Sequence, residues 1–196
     1  MNNIRSYREW SPQFDDSVYI DPSAVVIGRT SIGQDSSIWP LVAVRGDVNF
    51  IKIGDRTNIQ DNSVLHVARP TTCNNEGFAL IIGDDVTVGH GAILHACTIG
   101  NRCLIGMGAT VLDGAVLECD LLLAAGSLVS LGADPDRSGT RVLADAGEES
   151  CMVLAFVPRS AGLKVTRRTG GFCLQTKTGN FEFDIEPEGK GILTRR

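Results

Sequence analysis

A repeat of six residues runs through the first two thirds of this 196-residue chain and limits the folds that it can adopt. A period of six is neither the 3.6 of an amphipathic helix nor the 2 of an alternating strand. The repeat predicts an all-β triangular solenoid, in which each hexapeptide forms one short strand with one residue pointing inward, and three strands complete a coil. Eighteen residues occupy the predicted inward positions, which gives about six coils: Ile20, Val26, Ile32, Ile38, Val44, Phe50, Ile53, Ile59, Leu65, Ile82, Val88, Leu94, Ile99, Ile105, Val111, Leu117, Leu123 and Val129.

Such hexapeptide solenoids resemble the left-handed parallel β-helix proteins, and this resemblance implies the left-handed sense. Because the repeat ends after Val129, we predict a left-handed β-helix domain over residues 1–130 and an atypical, poorly ordered extension over 131–196. Two explanations of the extension stay open. It is either a divergent but genuine C-terminal segment or the product of a shifted reading frame, since codons for Leu143–Ser150 read one base later can encode a string like the segment that β-helix relatives carry there.

The composition excludes several classes of partner. A net charge of −5 argues against nucleic acid as a partner and against binding to an anionic membrane surface. No apolar run approaches the ~20 residues that span a bilayer, and the N-terminus lacks the apolar stretch of a signal peptide, so we predict a cytoplasmic protein. The six cysteines are scattered without a CxxC pair, which favours reduced thiols over disulfides.

The three histidines of the chain, His66, His90 and His95, lie within thirty residues of one another. His66 and His95 each follow an inward leucine and are one complete coil apart, which predicts that they lie on the same face with backbones about 4.8 Å apart. Two imidazoles at this separation can share one ion, and three histidines are the ligand set of an open catalytic zinc site. His90 lies near the next corner, so we expect a neighbouring subunit, as in a cyclic trimer, to complete the site. The alternative is a chance cluster of surface histidines.

Charged and amide residues precede the histidines. Arg45 and Asp61 are candidates for an ion pair of the kind found at interfaces. Gln60 follows its inward residue as His66 does, one hexapeptide earlier, and is a candidate to hydrogen-bond a water at the metal. Asp47 and Asn62 fit a place in the site and ordinary turn chemistry equally well.

These elements together resemble the γ-class carbonic anhydrase family, and most closely its small, YrdA-like bacterial branch. The resemblance covers about residues 5–130 and is carried by five segments: Arg45-Gly-Asp47, Asn58-Ile-Gln60-Asp61, Leu65-His66, Gly89-His90 and Leu94-His95. It implies a homotrimer with Zn²⁺, or Fe²⁺ or Co²⁺ in its place, bound between subunits by His66 and His95 of one chain and His90 of the next.

The same resemblance implies roles for four further residues and a reaction. Arg45 and Asp61 resemble the intersubunit ion pair of the family, and Gln60 and Asn58 resemble the residues that hold the solvent and the substrate. The implied reaction is attack of zinc-bound hydroxide on CO₂ to give bicarbonate. We therefore expect a carbonate dehydratase, a lyase whose activity falls in acid because the ligand histidines must be neutral.

The sequence departs from the best-studied branch of that family at two positions. Val48 and Arg69 stand where that branch has glutamates that move protons, so we expect slow turnover unless another group such as Glu76 serves. Two other functions stay open. The first is a hexapeptide-repeat acyltransferase or thioesterase-like enzyme that uses one histidine as general base. The second is a trimeric metal-binding scaffold without catalytic activity.

Overall fold

The structure is a computed structural model that describes residues 3–72 and 74–129 with their side chains, and beyond them the backbone of six strands. The described residues form 22 strands in three sheets and contain no helix. The first sheet has eleven strands: β1 Ile4–Arg5, β3 Val25–Ile32, β5 Ala43–Ile53, β7 Val64–His66, β8 Leu80–Ile82, β10 Ile93–His95, β11 Thr98–Ile99, β13 Thr110–Val111, β14 Val116–Leu117, β16 Leu128–Val129 and β17 Arg141–Val142. The second sheet has seven strands: β2 Tyr19–Ile20, β4 Ser37–Ile38, β6 Asn58–Ile59, β9 Thr87–Val88, β12 Leu104–Ile105, β15 Leu121–Leu123 and β18 Cys151–Val153. The third sheet is antiparallel and has four strands: β19 Lys164–Arg168, β20 Gly171–Thr176, β21 Gly179–Ile185 and β22 Gly191–Arg195.

The first two sheets are parallel and form a left-handed β-helix of about six coils with three faces. Face 1 is lined inside by Val26, Val44, Leu65, Leu94, Val111 and Val129, each in register with the next. Face 2 is lined by Ile32, Ile53, Ile82, Ile99 and Leu117. Face 3 is lined by Ile20, Ile38, Ile59, Val88, Ile105 and Leu123. The predicted fold class and the number of coils are confirmed.

Sixteen of the eighteen predicted inward residues are buried in the core. Ile20 is half-buried and packs against the end of the core. The prediction for Phe50 is wrong, because Ile51 takes the buried position and Phe50 lies outside the core, partly exposed. The reason is a bulge in β5: Gly46 pairs with Gly28 and Ile51 pairs with Thr30, so the four residues 47–50 stand opposite one residue of β3.

The corner between faces 2 and 3 is built from residues with positive φ, which closes a tight turn in each coil. Its φ angles lie between 51° and 63° at Asp35, Arg56, Asp85, Arg102 and Asp120, so that acidic and basic side chains alternate up the corner. Arg56 donates two hydrogen bonds to Asp85, and Arg102 donates two to Asp120. The alternation places opposite charges together in adjacent coils.

Beyond residue 129, β17 pairs in parallel with β14 of face 2 and β18 pairs with β15 of face 3. Most of the predicted extension 131–196 lies outside the described residues. The boundary near residue 130, the poor order of the extension and its origin in a shifted frame therefore stay predictions. In the part of the chain that the structure describes, no helix could cross a membrane.

Candidate metal centre

His66 and His95 lie side by side on face 1, as the repeat predicts. Arg45, His66 and His95 each follow the inward residue of their strand, and the parallel register places Arg45 beside His66 and His66 beside His95. The two imidazole rings are 5.0 Å apart between centroids and inclined at 62°. Nδ1 of His66 lies 3.0 Å from Nε2 of His95.

Each of these two rings is held by a carboxylate on its far side. Nε2 of His66 lies 2.9 Å from Oδ1 of Asp47, and Nδ1 of His95 contacts Oδ1 of Asp113. Because an ionised carboxylate can only accept hydrogen bonds, both of these ring nitrogens must carry the hydrogen. When both rings are neutral, the nitrogens that remain, Nδ1 of His66 and Nε2 of His95, each carry a lone pair. The two lone pairs then face each other at 3.0 Å and repel unless a cation lies between them.

Burial keeps the His66 ring neutral. It lowers the pKa of His66 below the 6.5 of an ordinary imidazole, against the opposing effect of the Asp47 hydrogen bond. Burial also opposes the charge of Asp47, but the hydrogen bond from His66 and the positive charge of Arg45 outweigh it and lower the pKa of Asp47. The result is an ionised Asp47 that contacts both Arg45 and a neutral His66, and neutral imidazole is the form that binds metals.

The donor set of this pair fits zinc. A tetrahedral zinc ion with bonds near 2.0–2.1 Å places two nitrogen ligands roughly 3.3 Å apart, which a small ring rotation would reach from 3.0 Å. Histidine ligands of zinc commonly donate their other N–H to a carboxylate, as both rings do here. Within the described residues of a single chain, no group of three His, Cys, Asp or Glu side chains converges on one metal position. His66 and His95 thus provide two ligands and need at least one more.

His90 lies at another corner of the same coil. It occupies the turn between faces 3 and 1, and its side chain is 53% exposed. Its Nδ1 lies 3.0 Å from Oδ2 of Asp61, which belongs to the preceding coil. As with the other two rings, the carboxylate on one nitrogen leaves the second nitrogen, Nε2, as the free lone pair. All three histidines of the chain therefore carry a carboxylate partner.

The other predicted site residues separate into two groups. Arg45 contacts Asp47 in the same bulge, and Asp61 contacts His90, so the single chain does not bring Arg45 and Asp61 together. Their pairing between subunits stays a prediction. Asn58 lies in β6 on face 3 and Gln60 directly follows that strand, whereas His66 lies on face 1. Oδ1 of Asn58 accepts a hydrogen bond of 3.2 Å from the hydroxyl of Ser37, which orients the amide.

Asp113 is the functional candidate that the sequence interpretation missed. The parallel register pairs Leu94 with Val111, 17 residues on, so Leu112 is the residue in register with His95 and the repeat gives no signal for Asp113. Asp47, for which turn chemistry and a site role were equally open, proves to contact both Arg45 and His66.

A loop over residues 67–79 interrupts the six-residue repeat between β7 and β8, and it is tied to the bulge that carries Asp47. Asn49 donates hydrogen bonds from its amide to the carbonyl oxygens of Ala68, at 3.3 Å, and Glu76, at 2.9 Å. Val48 is 42% exposed and offers no proton-carrying group. The Asn49 side chain thus holds the loop backbone beside the bulge that carries Asp47.

An apolar stripe runs along the outside of face 1 and its corner with face 3. Val64, Ile93 and Leu128 are each 41% exposed on the face, and Leu41 and Met107 are 62% and 58% exposed at the corner. His90 shares this corner with Leu41 and Met107. The stripe therefore connects the corner of His90 to the face that carries His66 and His95.

Comparison with known proteins identifies relatives of this arrangement. A family model described as bacterial transferase hexapeptide (six repeats) matches residues 80–113. Protein YrdA of Escherichia coli is 55% identical over 110 residues, which cover 56% of this chain and 60% of that protein. Gamma carbonic anhydrase 2, mitochondrial, of Arabidopsis thaliana is 51% identical over 119 residues, which cover 61% of this chain and 42% of that protein. The crystal structure of a hexapeptide transferase family protein from Anaplasma phagocytophilum is 43% identical, with a TM-score of 0.59, over 65% of this chain and 70% of that chain.

The chain thus spans less than two thirds of the length of these two curated relatives. The repeat, the coil register and the matches define a hexapeptide-repeat β-helix protein. The chain belongs to the hexapeptide-repeat family. Within that family it is similar to YrdA and to gamma carbonic anhydrase 2.

Proposed function

We propose that this protein is a zinc-dependent carbonic anhydrase that forms bicarbonate from CO₂ and water at sites shared between the subunits of a homotrimer. The observation that carries the proposal is the His66–His95 pair, whose unprotonated nitrogens face each other at 3.0 Å while carboxylates hold the opposite side of each ring. A site of this kind is typical of a metal centre and not of a single general base.

The third ligand in this proposal is His90 of a neighbouring subunit. Its ring is half exposed at a corner flanked by the apolar residues Leu41 and Met107, and exposed apolar surface of this kind is typical of interfaces. Packing that corner against face 1 of the next chain buries the apolar stripe and moves His90 toward His66 and His95. A threefold arrangement repeats this contact three times and closes the assembly.

Zinc, when bound, supplies a Lewis acid that makes water nucleophilic at neutral pH. Asp47 and Asp113 keep the ligand nitrogens unprotonated and correctly oriented, and Asp61 does the same for His90. Gln60 lies on the same side of the coil as His90, and its amide can orient the attacking water and the substrate together with Asn58. In this proposal the Arg45 guanidinium, which contacts Asp47 in its own chain, pairs with Asp61 of the neighbouring subunit.

Neither Val48 nor Arg69 can carry a proton from the site to solvent as a glutamate in its place could. We therefore expect slow CO₂ hydration. Glu76, whose backbone is fixed by Asn49, is the carboxylate that can serve instead. Fe²⁺ and Co²⁺ accept the same nitrogen ligands, and zinc is the metal that the histidine set favours. We also propose that the protein is located in the cytoplasm, although the similar carbonic anhydrase of Arabidopsis thaliana is named as mitochondrial.

The test combines metal analysis with stopped-flow measurement of CO₂ hydration. We expect one zinc per chain in the purified protein, hydration above the buffer rate, and loss of both in His66→Ala and His95→Ala. Asp120→Asn, which removes a charge at the opposite corner, is the matched control and should retain both. Zinc without hydration would indicate a metal-binding scaffold. A third outcome would indicate the transferase or thioesterase class. In that case the protein holds no zinc and does not hydrate CO₂, but it catalyses acyl transfer or thioester cleavage that depends on one histidine.

A further inference from the structure

A pocket separate from the candidate metal centre lies where the N-terminal segment crosses the corner between faces 1 and 2. Its volume is about 510 Å³, within the range of small-ligand sites, and its walls include Trp10, Arg29, Phe50, Ser31 and Glu9. The turn that carries Trp10 is closed by two backbone hydrogen bonds between Tyr7 and Trp10, so this wall is held in place.

Arg29 is the central residue of this pocket because its guanidinium contacts two aromatic rings. Its Cζ lies 4.5 Å from the centroid of the Trp10 ring, in the N-terminal segment, and 5.3 Å from that of Phe50, in the bulge of β5. These two cation–π contacts restrict the guanidinium and leave its N–H groups available as donors.

Those N–H donors lack a protein acceptor. Among the described residues, the Arg29 side chain forms neither a hydrogen bond nor an ion pair, whereas Arg45, Arg56 and Arg102 each bind a carboxylate. A fixed guanidinium edge with free donors matches a planar carboxylate, which it can bind through two parallel hydrogen bonds. The hydroxyl of Ser31, on the pocket wall, is a further donor.

The remaining walls indicate what carries that carboxylate. Glu9 adds one negative charge to the pocket, which disfavours a dianion such as phosphate. The ring edges of Trp10 and Phe50, together with the space of about 510 Å³, offer apolar contact to a body larger than the carboxylate itself. We propose that this pocket binds a small organic monocarboxylate, with its carboxylate on Arg29 and its apolar part against Trp10 and Phe50.

Isothermal titration with benzoate tests the proposal on the full-length protein. We expect saturable binding, weakened about tenfold or more in Arg29→Gln, because a charge-assisted pair of hydrogen bonds is lost. Arg29→Lys, which keeps the charge without the planar fork, should fall between the two. Arg8→Gln is the matched control, because Arg8 also lies over an aromatic ring, that of Tyr7, but outside the pocket walls.

Three results would overturn this inference: benzoate affinity equal in Arg29→Gln and in the unaltered protein, inorganic phosphate bound more tightly than benzoate, or no saturable benzoate binding. Thermal melting of Arg29→Gln shows whether the variant is folded. If it is not, Arg29→Lys carries the test. Benzoate also binds metal ions through its carboxylate, so the titration is repeated in His95→Ala, where the Arg29-dependent binding should persist. Its loss there would assign the binding to the metal centre.

Discussion

Replacing Asp113 by asparagine isolates the contribution of one carboxylate to the metal centre. In the native chain, Asp113 accepts the hydrogen on Nδ1 of His95 and so leaves Nε2 free to face His66. An asparagine has the same shape but can present its NH₂ group, which favours the tautomer with the hydrogen on Nε2. That hydrogen would lie between the two rings, at the proposed position of the zinc ion.

The exposure of the pair sets the size of the expected effect. Loss of a carboxylate behind a metal-bound histidine costs about 10- to 100-fold in affinity. The side chains of His95 and Asp113 are 32% and 31% exposed, so water can replace part of the lost interaction. We therefore expect a loss of zinc affinity near the lower limit, about tenfold or ~1.4 kcal/mol.

Competition with a chelator of known affinity measures this change, and thermal melting of the metal-free proteins checks that the fold is intact. Asp120→Asn is the control, since Asp120 pairs with Arg102 at a different corner and should leave zinc affinity unaltered. Equal zinc affinity in Asp113→Asn and in the unaltered protein would refute the assignment of the His95 tautomer to Asp113.

Three further predictions concern the β-helix. Leu94→Ala removes a fully buried side chain and should lower the free energy of unfolding by about 2–5 kcal/mol, measured by denaturant titration; a loss well below that range would contradict a tightly packed core. Arg102→Gln removes an exposed ion pair with Asp120 and should leave the thermal midpoint nearly unchanged, whereas a large drop would show that the charge ladder supports the fold. Burial raises the pKa of Cys103 to about 11, so iodoacetamide at pH 7.5 should modify the less buried Cys119 first, as read by peptide mass mapping; faster modification of Cys103 would contradict its burial.

The sequence was sufficient to predict the coils and the pairing of His66 with His95, because a solenoid has one repeating geometry and residues one coil apart must lie together. It did not locate the bulge in β5. The bulge adds three residues to β5 relative to β3, and the sequence does not show at which point of the strand they are inserted. Only the pairing of Ile51 with Thr30 shows that Phe50 lies outside the core.

Two other features depend on contacts that no period encodes. Asp113 resembles an ordinary turn residue in the sequence, and its function follows only from its contact with His95. The contact of Arg29 with both Trp10 and Phe50 requires the N-terminal segment, which precedes the repeat, to cross the corner between faces 1 and 2. Side chains at corners thus have to be read from the structure, whereas inward positions follow from the pattern.

Mixing two inactive variants tests most directly whether the metal centre is shared between chains. His90→Ala retains His66 and His95, and His95→Ala retains His90, so neither protein alone should bind zinc. The two variants are unfolded and refolded together. We then expect native mass spectrometry to detect mixed trimers that hold one zinc ion, at the single contact where His66 and His95 of a His90→Ala chain meet His90 of a His95→Ala chain. Zinc bound by either variant alone, or its absence from mixed trimers, would contradict a site built from His66 and His95 of one chain and His90 of the next.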